Sequence, residues 1–222
     1  SSSSLEKFSA IFHRHRTAPL GILITHPHSP PHPPPTSTMF KKFTQEEHVK
    51  DMARVKSSKA RKILNSIREQ FDESLSEVID ELYPDKKTPV TIATMKDKTE
   101  MLVREGTPIF FKPRDGPWVP TLKFLYKYPG ILTKVRVDKG AIRFVLRGAA
   151  VACGGLKTPS SELPEGLTVN QPVALYAEGK DLPLAVGIMV MTTEEIQAAS
   201  KGFAIEQTHF LDDALWKADE LE

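Results

Sequence analysis

The chain has 222 residues, enough for one or two domains with a core, and its 40% hydrophobic and 26% charged residues are ordinary for a soluble globular protein. The single cysteine, Cys153, excludes an intrachain disulfide and a cysteine zinc cluster. Cys153 lies in an apolar run, and we expect it to be a small core residue.

The net charge of +2 hides an uneven distribution. Residues 39–147 contain 23 Lys and Arg against 15 Asp and Glu, whereas residues 148–222 contain 4 against 12. This split favours an oriented contact with a polyanion. A mixed surface that serves only solubility is the alternative, and the charge pattern alone does not choose between them.

Residues 1–38 do not have the composition of a folded segment. They contain four opening serines, seven prolines and five of the seven histidines, with little apolar area to bury. Three interpretations remain open: an organellar targeting peptide, a disordered extension, or translated upstream sequence with Met39 as the working start. We favour the last two.

Residues 39–133 are expected to form a first domain of helices followed by strands. Apolar periodicity predicts three helices, over Gln45–Val55, Ser57–Phe71 and Ser74–Leu82. Short runs rich in β-formers predict three strands, over Pro89–Met95, Glu100–Arg104 and Pro108–Lys112. Turns are predicted between these strands and at Asp115-Gly116-Pro117.

A further helix is predicted over Thr121–Tyr128, directly after Pro120. Leu122, Leu125 and Tyr126 would face the core, and Lys123 and Lys127 would share the exposed side.

The segment after Val137 reads as a short helix with a basic stripe, followed by a glycine-containing bend. Asp138 stands at the N-cap position, where its carboxylate can accept from first-turn N–H groups. The predicted buried face consists of Ala141, Ile142, Val145, Leu146 and Ala149. Lys139, Arg143 and Arg147 recur every four residues on the other face. Such like-charge pairs cost a helix about 0.2–0.5 kcal/mol each, whereas a bound polyanion would compensate them.

Residues 134–216 are expected to form a second domain, and residues 217–222 a short acidic tail. Strands are predicted over Pro172–Ala177, Pro183–Met191 and Phe203–Phe210, with a helix over Thr193–Ser200 and a final turn over Asp212–Lys217. A small mixed β barrel with a helix across its end fits this order.

Nine basic residues are crowded around the boundary between the two domains, and aromatic residues are interleaved with them. Basic groups of this kind contact phosphates, and exposed rings stack on unpaired bases. We expect most of the rings to be core residues, with Trp118 the best candidate for an exposed ring. The predicted RNA-binding residues are Lys112, Arg114, Lys123, Lys127, Lys134, Arg136, Lys139, Arg143 and Arg147. An ordinary solvated face is the alternative.

No catalytic motif is recognisable, so we predict a protein that is not an enzyme and needs no cofactor or metal. Outside the N-terminal segment the histidines are His48 and His209. We interpret His48 as solvated and His209 as a satisfied histidine at a strand end. Helix capping is the simpler interpretation of Asp212-Asp213.

Three short motifs resemble the PUA domain, an RNA-binding pseudobarrel. They are Asp138-x-Gly140-Ala141, Gly148-Ala149 and Gly155-Leu156, followed by two apolar strands. Longer stretches resemble the malignant-T-cell-amplified sequence family of translation factors. These stretches are Met39–Phe43, Phe110–Leu132, Val137–Leu146 and Gly202–Trp216, and the resemblance covers Met39 to about Trp216.

The resemblance implies an α+β chain in which an N-terminal α/β pre-PUA domain precedes a PUA-type mixed β pseudobarrel. It implies a cytoplasmic translation factor whose first domain holds a density-regulated protein with an SUI-type domain. The pair would act on the small ribosomal subunit in post-termination tRNA release, recycling and reinitiation, with the second domain contacting ribosomal RNA or tRNA. The partner-binding residues, the RNA contacted and the preference between recycling and reinitiation stay open.

Two other functions remain in view. One is an RNA-modification enzyme or accessory subunit that uses the PUA domain to bind tRNA or rRNA. Against it, about 95 residues precede the PUA domain, few for a catalytic domain. The other is an interaction scaffold in which the basic cluster meets an acidic protein.

Overall fold

The computed structural model describes residues 39–71, 73–85, 87–218 and 220–221, so the interpretations of residues 1–38 lie outside the described residues. The described residues contain seven α-helices and two 3₁₀ turns. The helices are α1 Gln45–His48, α2 Ser57–Gln70, α3 Glu73–Leu82, α4 Leu122–Lys127, α5 Ile142–Val145, α6 Thr193–Ala198 and α7 Ala214–Lys217, and the 3₁₀ turns are Lys139–Ala141 and Cys153–Leu156.

Ten strands complete the described part of the fold. They are β1 Val49–Arg54, β2 Thr91–Met95, β3 Glu100–Arg104, β4 Thr107–Lys112, β5 Val119–Pro120, β6 Thr133–Val137, β7 Val151–Ala152, β8 Pro172–Ala177, β9 Ala185–Met189 and β10 Phe203–Phe210. The prediction of an α+β fold is confirmed.

The first sheet is an antiparallel meander, because its order β1-β2-β3-β4-β5 follows the chain. Strands β2 to β4 agree with the prediction to within two residues at each end. Ile63, Leu64 and Ile67 of α2 and Leu75 and Ile79 of α3 are buried in the core beside this sheet, as their helical spacing requires.

The prediction of a helix over Gln45–Val55 is wrong beyond its first turn. Only Gln45–His48 is helical, and Val49–Arg54 pairs with β2 as the edge strand of the sheet. Val49, Met52 and Val55 are spaced like a helix face, which misled the sequence interpretation. In the fold, Met52 opposes Ala93, and the Val55 N–H donates to the Val90 carbonyl at 2.9 Å, so tertiary pairing decides the conformation.

The second sheet is mixed and has the order β6-β8-β9-β10-β7. Strands β6 and β8 are parallel, with Val135 opposite Leu175, and the other pairs are antiparallel. Strand β6 and the two-residue β7 had no counterpart in the sequence interpretation, whereas β8, β9, α6 and β10 were predicted and are confirmed.

Strands β8 and β9 are buried on both faces. Val173, Leu175 and Ala177 pack into the core of the second domain, while Ala174 and Tyr176 belong to a core shared with the first domain. The Tyr126 hydroxyl of α4 donates to the Pro183 carbonyl at 3.1 Å, and the Ala214 N–H donates to the Phe40 carbonyl at 3.0 Å. The two sheets therefore lie against each other through apolar packing and hydrogen bonds.

The end of the described chain also returns to the first domain. Leu221 is buried in the shared core, and its N–H donates to the Gly106 carbonyl at 2.7 Å. In the part of the chain that the structure describes, no helix has the length and apolar character needed to cross a membrane.

Candidate nucleic-acid interface

The turn after β6 is fixed by Asp138. Its Oδ1 accepts from the Ala141 N–H at 3.0 Å, which confirms the predicted cap. At Gly140 a Cβ would lie 2.9 Å from this same oxygen, so a side chain there would disturb the cap. Asp138 and Gly140 thus set where the chain leaves the strand and begins the basic segment.

The bend after α5 needs glycine at Gly148. Its φ is +79°, and a Cβ at this position would lie 2.9 Å from the Phe210 ring. Gly155 is different, because a Cβ there would meet nothing within 4 Å and its φ is ordinary. Local geometry therefore accounts for glycine at Gly148 but does not require it at Gly155. Cys153 is fully buried, as expected.

Residues Lys139–Arg147, which we call the basic–apolar segment, expose charge and apolar area together. Lys139, Arg143 and Arg147 are exposed and form no ion pair with any described residue. Phe144 is 48% exposed and Leu146 38% exposed. The Arg143 guanidinium lies 4.6 Å from the Phe144 ring centroid.

The predicted buried face of this segment is wrong at Leu146 and Ala149. Both are exposed, because the α-helix ends at Val145 and the chain then turns away. Val145 is the anchor: its side chain is buried, and its carbonyl accepts from the buried Gln207 amide at 2.7 Å. The exposed apolar side chains are thus held on a fixed backbone.

The basic residues of β6 are already engaged within the protein. Lys134 lies 4.5 Å from the Tyr176 ring centroid. Arg136 is half-buried, with its Nε 3.3 Å from Glu162 Oε2 and its Nη1 donating to the Ala177 carbonyl at 3.3 Å. These two cations stabilise the second sheet and its neighbouring loop, so less of their charge is free for a ligand.

The basic residues of α4 lie on its exposed side, as predicted. The Lys123 Nζ donates to the Ala218 carbonyl at 2.7 Å, and Lys127 lies 5.4 Å from the Tyr128 ring centroid. The predicted core face needs one correction, because Phe124 is buried whereas Tyr126 is half-buried.

The prediction that Trp118 is exposed is wrong. Its side chain is 2% exposed, and its Nε1 donates to Ser66 Oγ at 3.0 Å. The Gln70 side chain bonds both backbone polar groups of Trp118, at 2.7 and 2.8 Å. Packing against α2 therefore outweighs the neighbouring Gly-Pro turn. Lys112 lies 5.9 Å from the Trp118 ring centroid, and Arg114 is exposed beside Asp115.

His209 and Asp213 form a buried pair with a structural role. Both side chains are fully buried, with 2.7 Å between His209 Nδ1 and Asp213 Oδ2. Asp213 also accepts from the N–H groups of Phe210 and Trp216, so it caps α7 as predicted. Phe40 and Phe111 pack against the imidazole.

Two features of the surface were missed from the sequence. One is the exposure of Phe144 and Leu146, because the sequence gives no signal that distinguishes an exposed apolar residue among arginines from a buried one. The other is a second basic surface at the start of α2, which a count of charges from Arg54 to Lys62 could have found. Among the described residues there is no group of His, Cys, Asp and Glu that could hold a metal ion.

The fold and this surface define the class of protein. Residues 43–129 match the Pre-PUA-like domain family, and residues 133–211 match the PUA domain family. The predicted fold, a pre-PUA domain followed by a PUA pseudobarrel, is confirmed.

The relatives are more specific. The chain is 43% identical to human malignant T-cell-amplified sequence 2 over 178 residues, 80% of this chain and 97% of that protein. It is 43% identical to the Drosophila melanogaster malignant T-cell-amplified sequence 1 homolog over 181 residues, 81% of this chain and 98% of that protein. The chain belongs to the malignant T-cell-amplified sequence family. Membership and the PUA domain together support an RNA-binding protein related to translation.

Solved structures show the same fold in archaeal proteins. A hypothetical protein from Pyrococcus horikoshii has a TM-score of 0.59 at 23% identity, covering 75% of this chain and 98% of that chain. A conserved PUA domain protein from Thermoplasma acidophilum has a TM-score of 0.52 at 19% identity, covering 75% and 98%. At these identities the likeness concerns the fold.

Proposed function

We propose that this protein is a non-enzymatic, cytoplasmic translation factor that binds RNA of the small ribosomal subunit through its PUA domain. With a density-regulated, SUI-domain partner held by its first domain, it would promote post-termination tRNA release and recycling, and reinitiation of translation. Its mechanism would be positioning and displacement, without bond chemistry.

The observation that carries the proposal is the basic–apolar segment. Three exposed cations that form no ion pair with the described part of the chain stand beside Phe144, whose ring is half exposed and in contact with Arg143. Phosphate contacts from such cations position a nucleic acid, and stacking of a base on an aromatic ring contributes about 1–3 kcal/mol.

The free-energy balance favours a bound polyanion. Arg143 and Arg147 do not form a helical pair, because the helix ends at Val145, but the three like charges of the segment still repel one another in the free protein. Each phosphate contact releases counterions from the nucleic acid. Several such contacts together make the affinity fall by orders of magnitude as the salt concentration rises. The burial of Val145 and its hydrogen bond from Gln207 support this interpretation, because a surface that is held in place before binding loses less entropy when it binds.

The first test is co-sedimentation of the full chain with small ribosomal subunits, with and without the density-regulated partner, across a KCl series. We expect binding that weakens with salt and strengthens with the partner. Absence of binding under every condition, for a folded protein, would refute the proposal.

A charge-reversal variant then assigns the surface. Arg143→Glu/Arg147→Glu should lower ribosome affinity at least tenfold at fixed salt. Lys180→Glu/Lys201→Glu is the matched control, because it makes the same charge change at two exposed lysines elsewhere in the second domain. Equal effects of the two variants would mean that only net charge matters.

A further inference from the structure

A buried amide lies beneath the basic–apolar segment. Gln207 of β10 is 1% exposed, and its Nε2 donates to the Val145 carbonyl at 2.7 Å. In the part of the chain that the structure describes, no other hydrogen bond connects residues 142–149 to an element outside residues 139–149. Together with the buried side chain of Val145, this bond fixes the end of α5 on the core of the second domain.

Strand β10 contacts the segment on both sides of a bulge. The register between β10 and β9 shifts directly after Gln207, which leaves Thr208 without an opposite residue. A β-bulge of this kind changes the direction in which the following side chains point. Phe210, after the bulge, packs into the core of the second domain, with its ring close to the bend at Gly148. Gln207 therefore holds the end of α5, and Phe210 supports the bend that follows it.

The stability of the core does not by itself explain a glutamine at this position. Gln207 Oε1 is buried and has no hydrogen-bond partner among the described residues, which is unfavourable for a polar atom. The Val145 carbonyl also accepts from the Gly148 N–H at 3.0 Å, so it would keep a partner without the amide. An apolar side chain of similar size would therefore suit the core about as well. What it could not do is hold the Val145 carbonyl in a fixed direction.

The group that depends on this direction is the ring of Phe144. Phe144 directly precedes Val145, and its ring is 48% exposed. Its carbonyl accepts from the N–H groups of Arg147 and Ala149, both at 3.1 Å, so the end of α5 and the bend move as one unit. Stacking requires the face of the ring to lie against a base, whereas the attraction between a cation and a phosphate changes slowly with distance. A rotation of this unit would therefore weaken stacking more than it would weaken phosphate contacts.

We propose that Gln207 is a positioning residue for RNA binding, which orients the Phe144 ring for stacking on an unpaired base. This inference rests on the proposed function in one respect, that RNA is the ligand of the basic–apolar segment. Gln207 is buried and touches no RNA, so it acts through the Val145 carbonyl. It consequently governs the part of the affinity that depends on bases and leaves the part that depends on phosphates unchanged.

The test uses the full chain and two fluorescein-labelled ligands, oligouridylate and a ribose-phosphate oligomer of the same length without bases. Anisotropy over a KCl series gives both affinities, and their ratio measures the contribution of the bases, roughly 5- to 150-fold for one stacked base. Gln207→Met should lower this ratio about 3- to 10-fold, the usual effect of losing one hydrogen bond. The slope of log affinity against log salt should stay the same, because phosphate contacts set it. An unchanged ratio would overturn the proposal.

A matched control separates positioning from general destabilisation. Thr193 is also buried in the second domain, and its Oγ1 donates to the Pro164 carbonyl at 2.8 Å, away from the segment. Thr193→Val should lower the free energy of unfolding in urea but leave the ratio of affinities unchanged. Gln207→Leu is measured beside Gln207→Met, so that the test does not depend on the folding of one variant. An equal loss in Thr193→Val would show a general effect of stability and would overturn the proposal.

A double-mutant cycle tests whether Gln207 acts through the ring. Phe144→Ala should remove most of the dependence on bases. In that background Gln207→Met should have almost no further effect on the ratio, because the group that it positions is absent. If Gln207→Met lowers the ratio equally with and without the ring, Gln207 acts on another group and the proposal fails.

The two levels of inference fail in different ways. If the unmodified chain binds neither RNA nor ribosomal subunits, the proposed function fails. If RNA binding responds to Arg143→Glu/Arg147→Glu and to Phe144→Ala but not to the Gln207 variants, the proposed function stands and this inference alone falls.

Discussion

At the scale of single residues, Gly148 combines a left-handed backbone with a close neighbour. Gly148→Ala should lower the free energy of unfolding by about 1–3 kcal/mol, because φ is +79° and the new Cβ would press on the Phe210 ring. Gly155→Ala is the control, since its Cβ would meet nothing within 4 Å. Urea denaturation of both variants measures the difference, and equal stabilities would contradict this account.

Tyr83 should make stability depend on pH in the alkaline range. Burial raises the pKa of its hydroxyl from 10.0 to about 12, with Arg104 opposing part of the rise. Between these values the unfolded chain loses the proton while the folded protein keeps it. The contribution of the protonated Tyr83 to the free energy of unfolding is therefore fully present below about pH 10 and is lost as the pH rises to about 12. In urea denaturation across this pH range, the free energy of unfolding should fall less for Tyr83→Phe than for the unmodified protein. An equal fall in both proteins would contradict the assignment of this pH dependence to Tyr83.

At the scale of elements, α4 depends on one hydroxyl. Thr121 Oγ1 accepts from the Phe124 N–H at 3.4 Å and donates to the Pro108 carbonyl at 3.0 Å, so it joins the helix to β4. Thr121→Val should cost about 1–2 kcal/mol in the free energy of unfolding. Thr121→Ser keeps the hydroxyl and should cost less. Thermal denaturation compares them, and a Val variant as stable as the Ser variant would show that the cap is unimportant.

Elements were predictable from the sequence wherever local signals agreed with the tertiary environment. Strands β3 and β10 have the predicted bounds, since each is a short run containing β-formers that is flanked by turn residues. Strand β1 was not predicted, because its apolar residues are spaced like a helix face and its conformation comes from pairing with β2. Strand β6 was missed as well. It depends on parallel pairing with β8, more than 30 residues away in sequence.

At the scale of the whole molecule, the last described residues belong to the shared core. Leu221→Ser should lower the free energy of unfolding by about 2–4 kcal/mol, because it removes a buried side chain from the core. Leu182→Ser is the matched control, since Leu182 is 47% exposed. If Leu221→Ser and Leu182→Ser are equally stable in urea, the end of the chain contributes nothing to the core.

The shared core also predicts cooperative unfolding of the two domains. Trp118 lies in the first domain, and Trp216 packs against Tyr126 at 5.2 Å. Trp118→Phe leaves Trp216 as the fluorescent reporter, and Trp216→Phe leaves Trp118. In each variant, the unfolding transition measured by fluorescence should coincide with the transition measured by circular dichroism. Two transitions with different midpoints would show that the domains unfold independently.

The sequence by itself determined the α+β class, most strand positions, the Asp138 cap and the family, because these depend on local spacing and on short motifs. The tertiary structure decided which basic and aromatic groups are free. It buried Trp118, engaged Lys134 and Arg136, exposed Phe144, and placed Tyr83 at a cavity beside the α2 cations. The physical reason is that exposure and ion pairing depend on neighbours far away in sequence, which residue spacing alone does not specify.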